Sequence, residues 1–150
     1  MRIEKDISKV QVIKPAVSAV IFENGKVLLH RRSDNGQWGL PGGSVEIGET
    51  VSHAMVREVK EETGLDVQIM RCVGVYSDPR FQMVRYPDGK GVHYISTVFE
   101  CQIVGGTLTT SLETLELGFL DPYDLPADIV PLHVIRIQDA MKRQEAAFIR

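Results

Sequence analysis

The stretch GGSVEIGETVSHAMVREVKEETGL, residues 42–65, constrains this chain more than any other. Thr50 suits an N-cap, Gly64 falls where a helix can end in the left-handed conformation, and good helix formers fill the interval, so the spacing predicts a helix over about Thr50–Thr63. At about 100° of rotation per residue, Glu58, Glu61 and Glu62 share one arc of that helix. Met55, Val56 and Val59 occupy the adjoining arc and are expected to face the core, with His53, Arg57 and Lys60 on the remaining side. Val51 and Ala54 lie on the acidic arc and are expected to leave room above it. The arrangement opposes local stability. Glu58 and Glu62 form a repelling i, i+4 pair, and the macrodipole disfavours anions at a helix C-terminus by roughly 0.3–1 kcal/mol each. A solvated face fits poorly with such crowding, whereas a divalent cation reverses its sign. Hard oxygens without His or Cys suit Mg²⁺ or Mn²⁺ rather than zinc. Glu46 and Glu49, just ahead of the helix, can fold back toward the same region.

The flanking sequence supplies a sheet. PAVSAVIFENGKVLLHRR reads as two strands joined at Asn24-Gly25, the dipeptide that best tolerates positive φ in a two-residue hairpin. LDVQIMRCVGVYS and GVHYISTVFECQIV are strand-like, with Pro87-Asp88-Gly89 turning the chain before the second. TLELGFLDPYDLP reads as a short strand running into a turn, and Pro131 opens a C-terminal helix. Together these predict an α/β fold with a mixed sheet covered by helices on its faces. No linker or repeat divides the chain, so one domain over residues 1–150 is expected.

Net charge decides against one class of partner. At −3, the chain lacks the clustered cations that hold a nucleic acid. No segment has the length of a membrane span and the N-terminus has no apolar signal core, which makes a cytoplasmic location the expectation. Cys72 and Cys101 sit in apolar strand-like runs and are expected to be reduced core residues.

Residues 43–65 resemble the Nudix box, Gx5Ex7REUxEExGU with U a bulky aliphatic residue: Gly43, Glu49, Arg57, Glu58, Val59, Glu61, Glu62, Gly64 and Leu65 fill each fixed position. LLHRR and WGLPGG before the box, and ETLELGFLDPYDLP after it, are also similar to family sequences, so the resemblance covers most of the chain. It implies a Nudix-type α/β/α sandwich and a Mg²⁺-dependent hydrolase, with Mn²⁺ as the alternative cation, that cleaves the diphosphate of a nucleoside diphosphate linked to another moiety. Glu58, Glu62 and Glu61 are then the metal ligands in that order, with the Gly42 carbonyl and Glu49 completing or assisting the shell. Arg57 becomes an orienting residue paired with Glu49, and Gly43 and Gly64 structural ones. The general base, and more widely the catalytic set, is sought among Glu58, Glu61 and Glu113, with Glu116 as the alternative register on the later strand. The family also allows a homodimer.

Substrate contacts are sought at Arg32, where Arg31 and Arg32 end a strand, and at Arg80, Phe81, Arg85 and Tyr86, whose cationic and aromatic mixture suits a nucleotide. Trp38 either stacks on a base or seals a loop. His30, His53, His93 and His133 show no metal-ligand spacing and carry no assigned role. ADP-ribose or a nucleotide sugar is the favoured substrate. A nucleoside triphosphate is the alternative, and a non-catalytic nucleotide sensor the reading from another class.

Overall fold

The computed structural model describes residues 1–150. Its elements in chain order are β1 (Arg2–Ile3), β2 (Val12–Glu23), β3 (Lys26–Arg32), β4 (Trp38–Gly39), β5 (Gly42–Ser44), α1 (Val51–Thr63) and β6 (Leu65–Tyr76). There follow α2 (Pro79–Gln82), β7 (Met83–Arg85), β8 (Gly91–Gly106), β9 (Thr114–Leu120), α3 (Pro131–Met141) and β10 (Phe148–Ile149).

The hairpin between β2 and β3 forms as the sequence predicts, with Asn24 at φ 52 and Gly25 at φ 75. β2 is the hub of the sheet. It runs parallel to β8 from Val12↔Val92 to Ile21↔Cys101 and antiparallel to β5, while β8 also pairs antiparallel with β6 and β7. β9 adds antiparallel to β3. Alternation along β2 divides the interior into two layers. Val17, Ala19 and Ile21 pack with Ala54, Met55 and Val59 of α1, whereas Val20 packs with Ile137 and Ala140 of α3. The expected mixed sheet between helices is therefore present.

α1 is capped as its sequence implies. The Thr50 hydroxyl accepts from the His53 N–H at 3.0 Å, and Gly64 sits at φ 78. Its rotation differs from expectation, because the inward arc comprises Ala54, Met55, Glu58, Val59, Glu62 and Thr63. Glu58 and Glu62 thus occupy core-facing positions, and Val56 is turned to solvent. Ala54 belongs to the core under the sheet rather than to an open acidic face. Hydrophobicity alone placed the buried arc one position too far round.

Segments that read as loop form short elements once β2 and β8 are in place. β5 borrows hydrogen bonds from β2, and β7 does so from β8. Trp38 packs against the α3 side of the core and exchanges backbone hydrogen bonds with Asp128 and Val130, so it seals the loop. Cys101 is buried and Cys72 half-buried, both as free thiols. No helix is long and apolar enough to cross a membrane.

Candidate active site

Arg57 organises the acidic cluster. Its Nε and Nη2 donate to Glu49 at 2.7 and 2.9 Å, its Nη1 to Glu58 at 2.9 Å and Glu61 at 3.2 Å, and its Nη2 also to the Ser44 carbonyl at 3.1 Å. Glu46 lies 3.8 Å from Nη1. The fork therefore ties the loop before α1 to the helix, and the hydrogen-bonded guanidinium holds the Glu49 carboxyl down at about 2. Arg57 lies on the acidic side, where its long stem carries the charge round from the position its Cα would suggest.

Glu58 and Glu62 depart from this charge-balanced pattern. Both carboxyls are buried on one arc of α1, and burial raises both pKa values, for Glu58 against the pull of Arg57 and for Glu62 with the added repulsion of Glu58. Glu62 is 3% exposed, and its Oε1 accepts from the Gly42 N–H at 2.9 Å. The Thr114 hydroxyl gives its hydrogen to the Glu62 carbonyl at 2.9 Å, so it accepts from His30 Nδ1, 3.2 Å away. Burial lowers His30 to about 4, and in its neutral form Nε2 is a lone pair 3.1 Å from Glu62 Oε2. Two acceptors face each other there unless Glu62 carries a proton.

Glycine makes room for the pair. A Cβ at Gly43 would stand 2.5 Å from the Glu58 carboxyl carbon, and one at Gly42 would stand 2.1 Å from the Val17 carbonyl oxygen. Only bare backbone fits between β2 and the acids. The donor set suits a hard divalent cation, which would replace the proton on Glu62 and relieve the repulsion of the buried pair. Glu61, half exposed and held by Arg57, does not join them, and no three acids converge on one point.

A cavity of about 480 Å³ opens beside Glu58 and Glu62. Of the residues expected to meet substrate, Arg32, Phe81 and Tyr86 line it, as do Glu113 and the two glycines. Arg32 is bound by Asp34 at 2.7 and 2.9 Å. Arg80 and Arg85 lie outside, the first turned back on Asp78 at 2.6 Å and the second on Glu4 at 3.6 Å. Glu116 also lies outside, 3.7 Å from Arg31 across the β3–β9 ladder. The cavity wall includes four residues that sequence reasoning missed: His30, Ser96, His133 and Arg136. A signal existed for the last two, since PLHVIRIQDAM puts a histidine and an arginine three residues apart on an otherwise apolar helix face.

The site thus combines a carboxylate pair on a capped helix, a glycine cradle and a cavity of about 480 Å³, and comparison with known proteins places the chain in a family. A family model described as NUDIX domain matches residues 12–143. The ADP-ribose pyrophosphatase of Methanocaldococcus jannaschii is 41% identical over 129 residues, covering 82% of this chain and 72% of that protein. The nucleoside triphosphatase NudI of Escherichia fergusonii is 29% identical over 116 residues, 73% of this chain and 82% of that one. Among solved structures, a UDP-X diphosphatase superposes with a TM-score of 0.76 at 25% identity over 91% of this chain, which spans 66% of that longer protein. The chain belongs to the Nudix family of hydrolases, enzymes that generally use divalent metals.

Proposed function

We propose that the protein, acting as one domain in the cytoplasm, is a Mg²⁺-dependent pyrophosphohydrolase. Its substrate is a nucleoside diphosphate linked to another moiety, with ADP-ribose or a nucleotide sugar first. The observation that carries this reading is the buried Glu58–Glu62 pair beside the bare backbone of Gly42 and Gly43 at one end of the cavity. Glu58 and Glu62 would hold the cation, with Glu49 and the Gly42 carbonyl as supports, and Glu61 would reach it only by leaving its ion pair with Arg57. A bound divalent cation supplies charge neutralisation on the diphosphate and a more acidic water.

The chain's own residues do the rest. Arg57 fixes Glu58 and the loop carrying Glu49 in one orientation, and Gly42 and Gly43 let the backbone approach a phosphate closely. Glu113 lines the cavity with its carboxylate exposed, which makes it the candidate to accept the water's proton, with Glu58 and Glu61 as alternatives. Arg32 stands where a phosphate oxygen can compete with Asp34 for its guanidinium. Phe81 and Tyr86 offer faces to a base or sugar.

The relative in Methanocaldococcus jannaschii favours ADP-ribose, while NudI supports the nucleoside triphosphate alternative. The test is incubation with Mg²⁺ and a panel of ADP-ribose, nucleotide sugars and nucleoside triphosphates, with products separated by anion exchange. Two monophosphates from a conjugate support the first reading, and inorganic pyrophosphate from a triphosphate supports the second. Binding without cleavage across the panel would make the protein a sensor.

A further inference from the structure

One wall of the cavity carries a positive charge that is in no ion pair. Arg136 of α3 is 5% exposed and forms no ion pair. Its Nη1 donates to the neutral Ser18 hydroxyl at 3.0 Å, its Nη2 to the Gln82 amide oxygen at 3.3 Å, and its Nε has no partner. The Tyr76 ring lies 5.4 Å away as the other face of its surroundings. Asp139, three residues on, is already bound by the Tyr76 hydroxyl and by Arg150. Burial lowers the guanidinium to about 10, so it remains charged at neutral pH. A buried cation that lacks an ion-pair partner opposes folding, which is tolerable where a ligand completes it.

Its neighbours repeat the polarity. His133 Nδ1 accepts from the Leu40 N–H at 2.8 Å, which forces the ring hydrogen onto Nε2, and that N–H has no protein acceptor. The Gln82 oxygen is taken up by Arg136 and by the Ser96 hydroxyl at 3.4 Å, leaving its NH₂ group free. Three side chains on this wall thus have unused N–H donors.

We propose that Arg136, with His133 and Gln82, forms a donor-only subsite for a substrate group that solely accepts hydrogen bonds, either a base carbonyl or a phosphoryl oxygen. The subsite rests on the nucleotide reading above and narrows it: as a base site such a wall accepts the 6-oxo group of hypoxanthine or guanine and rejects the 6-amino group of adenine, which would put an oxo-purine conjugate ahead of ADP-ribose. If the group is phosphoryl, the same wall holds the phosphate and base identity matters little.

IMP and AMP differ at that substituent and contain no anhydride to cleave, so their binding can be measured by calorimetry with Mg²⁺ present. Inosine, adenosine and ribose 5-phosphate separate the two sources. In the base arm the parent prefers IMP over AMP and inosine over adenosine, and R136M loses roughly 10- to 100-fold toward IMP and inosine alone. In the phosphoryl arm R136M loses a similar factor toward IMP, AMP and ribose 5-phosphate together. Either pattern supports the subsite. R136M affinities equal to the parent's for every probe overturn it, also when R136M melts lower, since a purely structural arginine would behave so. Should R136M not fold, R136K retains charge and stem without the planar fork, and is expected to lose at least about five-fold; unchanged binding in R136K overturns the proposal equally. A parent that binds IMP yet cleaves nothing in the Mg²⁺ panel refutes the hydrolytic function and leaves the subsite standing.

Discussion

Stability without metal should fall as pH rises above neutrality, and the Glu58–Glu62 pair sets the size of the effect. Both carboxyls have raised pKa values in the folded state, so the folded chain keeps protons that the unfolded chain releases near the ordinary carboxylate pKa. That contribution is complete below the unfolded pKa and is lost as pH climbs toward the folded one. Each pH unit with one such proton retained removes about 1.4 kcal/mol. For a chain of this size 1 kcal/mol corresponds to roughly 2–4 °C, so the melting temperature in EDTA should drop by about 3–6 °C from pH 7 to pH 8. His30 and His133 have the opposite sign, their lowered pKa values costing stability only as pH falls below about 6.5, and so leave this window clear. Differential scanning calorimetry of the parent and of Glu62→Gln measures the slope directly. The glutamine variant should be nearly flat, and saturating Mg²⁺ should raise the parent more at pH 8 than at pH 7. Equal slopes in parent and variant would falsify the reasoning.

Three further outcomes follow from the geometry. Glu58→Gln keeps the side chain's shape but removes a ligand charge, so turnover should fall by roughly 10²-fold or more with melting little changed; full turnover would dismiss Glu58 as a ligand. Gly43→Ala puts a methyl 2.5 Å from the Glu58 carboxyl carbon, and because that side chain can swing aside the expected damage is to kcat and metal affinity rather than to folding, measured by steady-state kinetics against Mg²⁺. Asp139→Asn weakens the bonds from the Tyr76 hydroxyl at 2.8 Å and from Arg150 at 2.8 and 3.1 Å; chemical denaturation should show a loss of about 1.5–3 kcal/mol, and a change below about 0.5 would contradict the network.

What the sequence made legible was local. Thr50 and Gly64 delimit α1 through their own backbone chemistry, Asn24-Gly25 dictates its turn, and the acids of the box sit at spacings that a helix converts directly into a cluster. The rotation of α1 was harder, because the helix buries Glu58 and Glu62 at the expense of Val56 and so reverses the rule that apolar residues point inward. Arg80 and Arg85 illustrate the opposite error: composition suggested substrate contacts, but Asp78 and Glu4 are close enough to engage both. His133 and Arg136 reach the cavity only through packing of α3 against β2, 93 positions from Leu40 and 118 from Ser18 in the chain. No local pattern encodes such a pairing.

The parallel union of β2 with β8 has a consequence for synthesis on the ribosome. Residues 12–21 find their partner only when residues 92–101 have emerged, so β2, β3 and α1 can be assembled while one long edge of the hub strand is still open. Closing a loop of about eighty residues is slow compared with making a hairpin, and an unpaired apolar edge can pair with another nascent chain meanwhile. Substitutions that delay β8, even ones harmless to the finished enzyme, should therefore reduce yield by aggregation during translation before they reduce activity.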